Sequence, residues 1–233
     1  MASTLELKTV FVWLSLWLDT GYSNLDTTKM KIALNNVGRR FNKEWIFRGI
    51  STEFVSGDSY AILGPNGSGK STLLSVLTGS LSPSEGDISF SSTKDIAVEN
   101  IYKHISLAAP YLELVETFTL KEIINFHFKF KDFAVGVDEK SLISILGLEK
   151  SANKEIKYFS SGMKQRTKLA LACCSNSPIL FLDEPTSNLD VQGVDWYREL
   201  IENFTKDRLT IIGSNQIQEY EFCKNLMQIT DFK

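Results

Sequence analysis

Short apolar runs closed by turn residues alternate along this chain with stretches whose apolar positions step at helical intervals. Ser59-Tyr-Ala-Ile-Leu63 follows the turn signal Gly57-Asp58 and predicts a short buried strand. Ile179-Leu-Phe-Leu182 is apolar at every position, the pattern of a buried parallel strand rather than of a sheet edge with one wet face. Thr119-Leu-Lys-Glu122 has the spacing of a capping box and predicts a helix start, with Ile123, Ile124, Phe126, Phe128 and Phe130 following it. A second helix is predicted over Glu139 to Leu146, stopped by Gly147. Ser160 or Ser161 can cap a third, in which Leu169, Ala170 and Cys173 keep helical spacing. No repeat, low-complexity tract or long linker interrupts the pattern.

Composition narrows the class. The chain has 233 residues, 43% of them hydrophobic and 23% charged, which is ordinary for one globular domain or two small lobes. Its 28 acidic and 25 basic residues leave a net charge of −3, so a broad basic face for nucleic acid is not expected. The run Val10 to Leu18 is apolar but far short of the roughly 18 residues that cross a bilayer. Residues 1–29 otherwise differ from the rest of the chain. They read as the product of an upstream start with Met30 as the true one, as a tail, or as an amphipathic partner-binding segment. Three cysteines, Cys173, Cys174 and Cys223, are too few for a disulfide framework and read as reduced thiols of a cytoplasmic protein.

The strongest chemical signal directly follows the first predicted strand. Gly64-Pro-Asn66-Gly67-Ser68-Gly69-Lys70-Ser71 lies between that strand and the helix opened by Thr72-Leu-Leu, which is the context a phosphate-binding loop requires. Glycines 64, 67 and 69 let the backbone curl around an anion, with successive N–H groups pointing inward. The helix beginning near Lys70 aims its positive end at the same point. Lys70 would reach the β- and γ-phosphates of a nucleotide, Ser71 would supply a hydroxyl to Mg²⁺, and Thr72 would contact the α-phosphate. Asn66 and Ser68 complete the candidate loop.

A second set of candidates ends the apolar run at Leu182. Asp183-Glu184-Pro185 places two acids at the C-terminal end of a parallel strand, where such sheets bind their ligands. Asp183 would hold Mg²⁺, and Glu184 would orient and activate an attacking water.

The order of phosphate loop, Tyr158-Phe-Ser-Ser-Gly-Met-Lys-Gln-Arg166, acidic strand end and Ser187-Asn-Leu-Asp190 resembles the nucleotide-binding domain of ATP-binding cassette (ABC) proteins, over about residues 30–233. The resemblance implies an α/β fold: a P-loop NTPase with a parallel core sheet, an antiparallel β-lobe and an inserted α-helical lobe, here about residues 111–172. It implies that Ser160 and Gly162 close over the γ-phosphate bound by a second subunit, and that residues 187–190 run along the dimer interface. It also implies an aromatic residue stacked on adenine. By spacing that is Phe41, with Trp45 the alternative.

Two positions depart from the family's pattern. Pro110 stands where a glutamine usually senses Mg²⁺, with Tyr111 or Glu113 as possible substitutes. Asn215 stands where a histidine usually follows the strand Leu209-Thr-Ile-Ile212. Its amide can donate to a γ-phosphate oxygen, but it carries no positive charge, which predicts slow turnover. Ser161 and Met163 also replace a glycine and a glutamine of the family signature.

The resemblance implies an ATPase whose two copies, a homodimer or a heterodimer, sandwich two ATP–Mg²⁺. It would drive a separate integral membrane permease from the cytoplasmic face, with no nucleic acid involved. A non-transport ABC ATPase, or a slow, binding-only switch, is the alternative. In the helical lobe, Phe126, Phe128, Phe130 and Phe133 read as core rather than interface. His104 and His127 lack partners at ligand spacing and read as structural or surface residues.

Overall fold

The computed structural model describes residues 30–233. The readings made of segment 1–29 lie outside the described residues. Two sheets organise the chain. The first is antiparallel, in the order β2-β1-β4-β5, from β1 (Lys31–Phe41), β2 (Glu44–Val55), β4 (Glu85–Ser91) and β5 (Asp95–Ile96). The second is parallel throughout, in the order β6-β7-β8-β3-β9, from β3 (Ser59–Leu63), β6 (Ile105–Ala108), β7 (Ile179–Asp183), β8 (Leu209–Ser214) and β9 (Asn225–Gln228). The helices are α1 (Lys70–Leu77), α2 (Leu120–His127), α3 (Glu139–Leu146), α4 (Ser161–Cys173), α5 (Val191–Phe204) and the short α6 (Ile217–Tyr220).

The parallel sheet is covered on both faces, and β7 shows why its sequence does not alternate. Leu180 and Leu182 point into a cluster with α2, α3, α4 and α5, while Ile179 and Phe181 point into a second cluster with α1 and the antiparallel sheet. All five residues of β7 are buried. Each fully buried aliphatic or aromatic side chain contributes about 1.5–3 kcal/mol, so a polar substitution on either face is costly.

The helical region follows local rules. At α2 the Thr119 hydroxyl accepts from the Glu122 amide at 3.3 Å, and the Glu122 carboxylate accepts from the Thr119 amide at 2.7 Å, the predicted capping box. α3 ends at Gly147 with φ 64°, a left-handed stop that a side chain would resist. Two half-buried cations fasten this region to the sheet. Lys131 Nζ donates to the carbonyl oxygens of Tyr102 (2.7 Å) and Ile105 (2.9 Å). Arg208 donates to the Cys173 carbonyl at 2.8 Å and to the Ser177 hydroxyl at 2.7 Å.

The aromatic cluster is a core element only in part. Phe128 and Phe133 stack at 3.6 Å and pack against the buried cluster. Phe126 is 38% exposed and forms an edge-to-face run with Phe118 and Phe130, because it sits on the outer side of α2 while Ile123 and Ile124 take the inner one. Both histidines are structural. His104 is buried, and His127 pairs with the Ser175 hydroxyl at 2.9 Å. The Ser175 hydroxyl donates to the Leu171 carbonyl, which makes His127 Nε2 the donor to Ser175. The three cysteines are free, and burial pushes the thiols of Cys173 and Cys223 up to about 12. Among the described residues no helix is long and apolar enough to cross a membrane.

Candidate functional site

Strand register sets the site. Leu63 pairs with Ser214, and Asp183 with Gly213, so β3, β7 and β8 end at one edge of the sheet. The phosphate loop leaves β3 there, Glu184 leaves β7 and Asn215 leaves β8. β6 ends beside β7, Ala108 against Leu182, which brings Ala109-Pro110 to the same edge.

The loop's shape depends on glycine at two points. Gly69 precedes α1 at φ 108°, and a Cβ there would lie 2.6 Å from the Ile46 side chain. A Cβ on Gly64 would lie 2.6 Å from Ser68 Oγ. Lys70 is 4% exposed, and its ammonium donates to the carbonyl oxygens of Gly64 (2.8 Å) and Pro65 (3.2 Å), inside the curl of the loop. The first-turn amides of α1 have no partner inside the helix, so they and Lys70 together form a concave set of donors.

Asp183 is 1% exposed. Burial raises its carboxyl to about 6. The nearby Ser71 hydroxyl and Lys70 oppose that rise, and Glu184 and Glu219 add to it. Its Oδ1 is buried with no hydrogen-bond partner. That orphaned oxygen beside the Ser71 hydroxyl fits a small hard cation. Among the described residues no group of three or more His, Cys, Asp or Glu side chains could hold a metal ion.

Glu184 sits at φ 41°, uncommon for a residue with a side chain. Its amide donates to the Gly213 carbonyl at 2.9 Å. Asn215 lies across the phosphate loop, its amide donating to Asn66 Oδ1 at 3.1 Å. Lys70, Ser71, Asp183, Glu184, Asn66 and Asn215 are thus brought to one edge of the sheet.

Other candidates lie elsewhere. Ser160 caps α4, its hydroxyl accepting from the Met163 amide at 3.2 Å. Gly162 packs on the turn at Asn188, whose carbonyl would be 3.0 Å from an added Cβ. Phe41, at the tip of the β1–β2 hairpin, is 45% exposed with the Arg39 guanidinium 4.6 Å over its ring. Trp45 is half-buried between Arg40 and Arg48, at 5.5 Å and 4.7 Å. Pro110 offers only its carbonyl, which accepts from Lys168 Nζ at 3.0 Å. Tyr111 reaches further: half-exposed, its phenol lies near enough to the site that partial burial and then the negative Asp183 push it up to about 12. One residue escapes sequence reasoning altogether. Glu219, fully buried, binds Thr186 and Ser214 behind the site.

A parallel sheet with a glycine-built anion cradle, a lysine inside it and an acid at the end of β7, two strands away, defines a P-loop nucleotide-binding domain. The chain belongs to the ABC transporter family, whose model matches residues 47–187. It is 32% identical over 200 residues to the lantibiotic transport ATP-binding protein SrtF of Streptococcus pyogenes, covering 80% of each chain. It is 30% identical over 207 residues to the linearmycin resistance ATP-binding protein LnrL of Bacillus subtilis, covering 86% of this chain and 66% of the other. Among solved structures, a putative ABC transporter ATP-binding protein from Pyrococcus furiosus shares the fold with TM-score 0.74 at 18% identity, covering 87% of this chain and 99% of that one. A dimeric bacterial ABC transporter cassette does so with TM-score 0.69 at 23% identity, covering 85% and 94%.

Proposed function

We propose that this chain binds ATP with Mg²⁺ in the cradle, hydrolyses it, and works as one of two such subunits that drive a separate membrane permease. The observation that carries the reading is Asp183: a buried carboxylate with a free oxygen, beside Ser71 and Lys70, at the mouth of a loop that only glycines can form. In this reading Gly64 to Thr72 hold the phosphates, Ser71 and Asp183 hold the cation, and Phe41 stacks on adenine. The cation, when bound, would neutralise charge building on the transferred phosphoryl group. Lys70 leaves its loop carbonyls for the β- and γ-phosphates. Glu184 orients and deprotonates the attacking water, and Asn215 donates to the γ-phosphate. Ser160 and Gly162 serve the nucleotide of the opposite subunit. A domain of about residues 30–233 with a helical lobe at about 111–172 would then sit at the cytoplasmic face of the membrane, against its permease.

Steady-state hydrolysis by the purified chain with Mg²⁺, compared with Glu184→Gln, tests this. A wild-type rate that falls by about 10²–10⁴-fold in the variant supports it. No rate in either supports the second reading, a binding-only switch, which the missing charge at Asn215 favours. Recovery of a multi-span membrane protein with the chain from detergent extracts tests the permease.

A further inference from the structure

We infer that Glu219 is a positioning residue for hydrolysis: one buried carboxylate ties the segment leaving Glu184 to the segment bearing Asn215. This rests on the hydrolysis reading above. Glu219 lies in α6 and is fully buried. Its Oε1 accepts from the Thr186 amide at 2.8 Å and from the Thr186 hydroxyl, and its Oε2 accepts from the Ser214 hydroxyl. Among the described residues no cation is ion-paired with it. A buried carboxylate satisfied only by neutral donors is costly to keep, and three donors converging on one group fix their own segments against each other.

What those segments carry gives the tie its purpose. Thr186 is two residues beyond Glu184, whose left-handed backbone persists only if its surroundings hold it. Ser214 immediately precedes Asn215, whose amide already reaches Asn66 of the phosphate loop. Glu219 is itself anchored from behind, since the Tyr197 hydroxyl donates to its carbonyl at 2.8 Å. The water-activating side and the γ-phosphate side of the site therefore share one support, while the cradle at Gly64 to Lys70 makes no hydrogen bond to Glu219 and meets that support only through Asn66 and Asn215.

The donor pattern predicts which substitution is tolerated. In Glu219→Gln the amide oxygen keeps both Thr186 bonds and the amide N–H donates to Ser214. The Ser214 proton then turns to the Gln216 carbonyl, already 3.3 Å away. Glu219→Ala loses all three bonds.

The test is kcat, KM and ATP–Mg²⁺ affinity of the full chain, wild type against both variants, with the melting temperature recorded. Glu219→Ala is expected to lower kcat about tenfold or more while ATP affinity changes by less than about threefold, and Glu219→Gln is expected to stay within about threefold of wild type. Ser214→Ala, a milder cut, is expected to lower kcat about threefold with affinity kept, and it decides the matter if Glu219→Ala does not fold. A folded Glu219→Ala with wild-type kcat, or affinity falling in step with kcat, overturns the inference and leaves the hydrolysis reading standing. A wild type without hydrolysis overturns both.

Discussion

Residues 57–77 build the phosphate cradle from one uninterrupted stretch of chain: turn, strand, glycine loop, helix. The wall facing it is gathered from three distant stretches, Pro110–Tyr111, Asp183–Thr186 and Ser214–Glu219, which meet only because β6, β7 and β8 end at the same edge. The cradle has glycine, lysine and serine at the positions a phosphate-binding loop requires. The wall holds Pro110 and Asn215, the two positions where the resemblance implies a glutamine and a histidine. A cradle made of local backbone geometry has few acceptable sequences, since a Cβ at Gly69 would strike Ile46. A wall made by tertiary contact can exchange one donor for another and retune the rate without losing the ligand.

The largest expected effect lies in the cradle. Lys70→Ala removes the one charge inside the loop, and hydrolysis should fall by about 10²–10³-fold in a steady-state assay. Retention of more than a tenth of the rate would mean that the cradle is not where the phosphates bind.

Acid tests whether parts assembled across the chain are the weaker ones. Burial and Lys131 hold His127 down to about 4, against an ordinary 6.5. The folded chain thus keeps this ring neutral where the unfolded chain protonates it, so the stability it contributes is present above about 6.5 and is lost as pH falls toward 4. The residue retains some exposed surface, so the loss should be about 1–2 kcal/mol in chemical denaturation at the two pH values. His127→Gln should flatten the change across that window. An identical pH dependence in wild type and variant would assign the loss to other groups.

Asn215→His tests the departure in the wall. A cationic ring in place of the amide should raise steady-state hydrolysis about three- to tenfold at neutral pH. An unchanged or lower rate would show that the wall is built around the amide and its bond to Asn66.

The same division explains what could be read from sequence. The strand at Ile179, the capping box at Thr119, the stop at Gly147 and the cap at Ser160 are each set within a few residues, and each stands where its local pattern predicts. The antiparallel β-lobe, and the grouping of these helices into an inserted lobe, follow instead from the family resemblance. Glu219 left no signal: Ile-Gln-Glu-Tyr reads as an ordinary exposed turn of helix, and only the meeting of β7 and β8 buries it. Lys131 and Arg208 are hidden for the same reason, as cations that satisfy carbonyl oxygens far away in sequence. Phe126 reads as core in the sequence yet lies on the outer side of α2, because apolar character alone does not say which side of a helix a residue faces.

The smallest expected effect concerns the position next to Pro110. Proline brings no side-chain oxygen to the cation, yet the following phenol feels the charge of Asp183. Its raised value keeps it protonated at neutral pH, so it acts as a neutral donor and acceptor at the edge of the candidate cation site. In α1 the Ser75 hydroxyl donates to the Ser71 carbonyl at 2.8 Å. Tyr111→Phe therefore removes one oxygen from the wall and leaves α1 intact. If that oxygen takes the glutamine's place, the Mg²⁺ concentration for half-maximal hydrolysis should rise about two- to threefold, a loss the size of one neutral hydrogen bond, with metal-free ATP binding unchanged. If half-maximal Mg²⁺ does not move, the segment contributes only its backbone, and Asp183 and Ser71 hold the cation without help from that side.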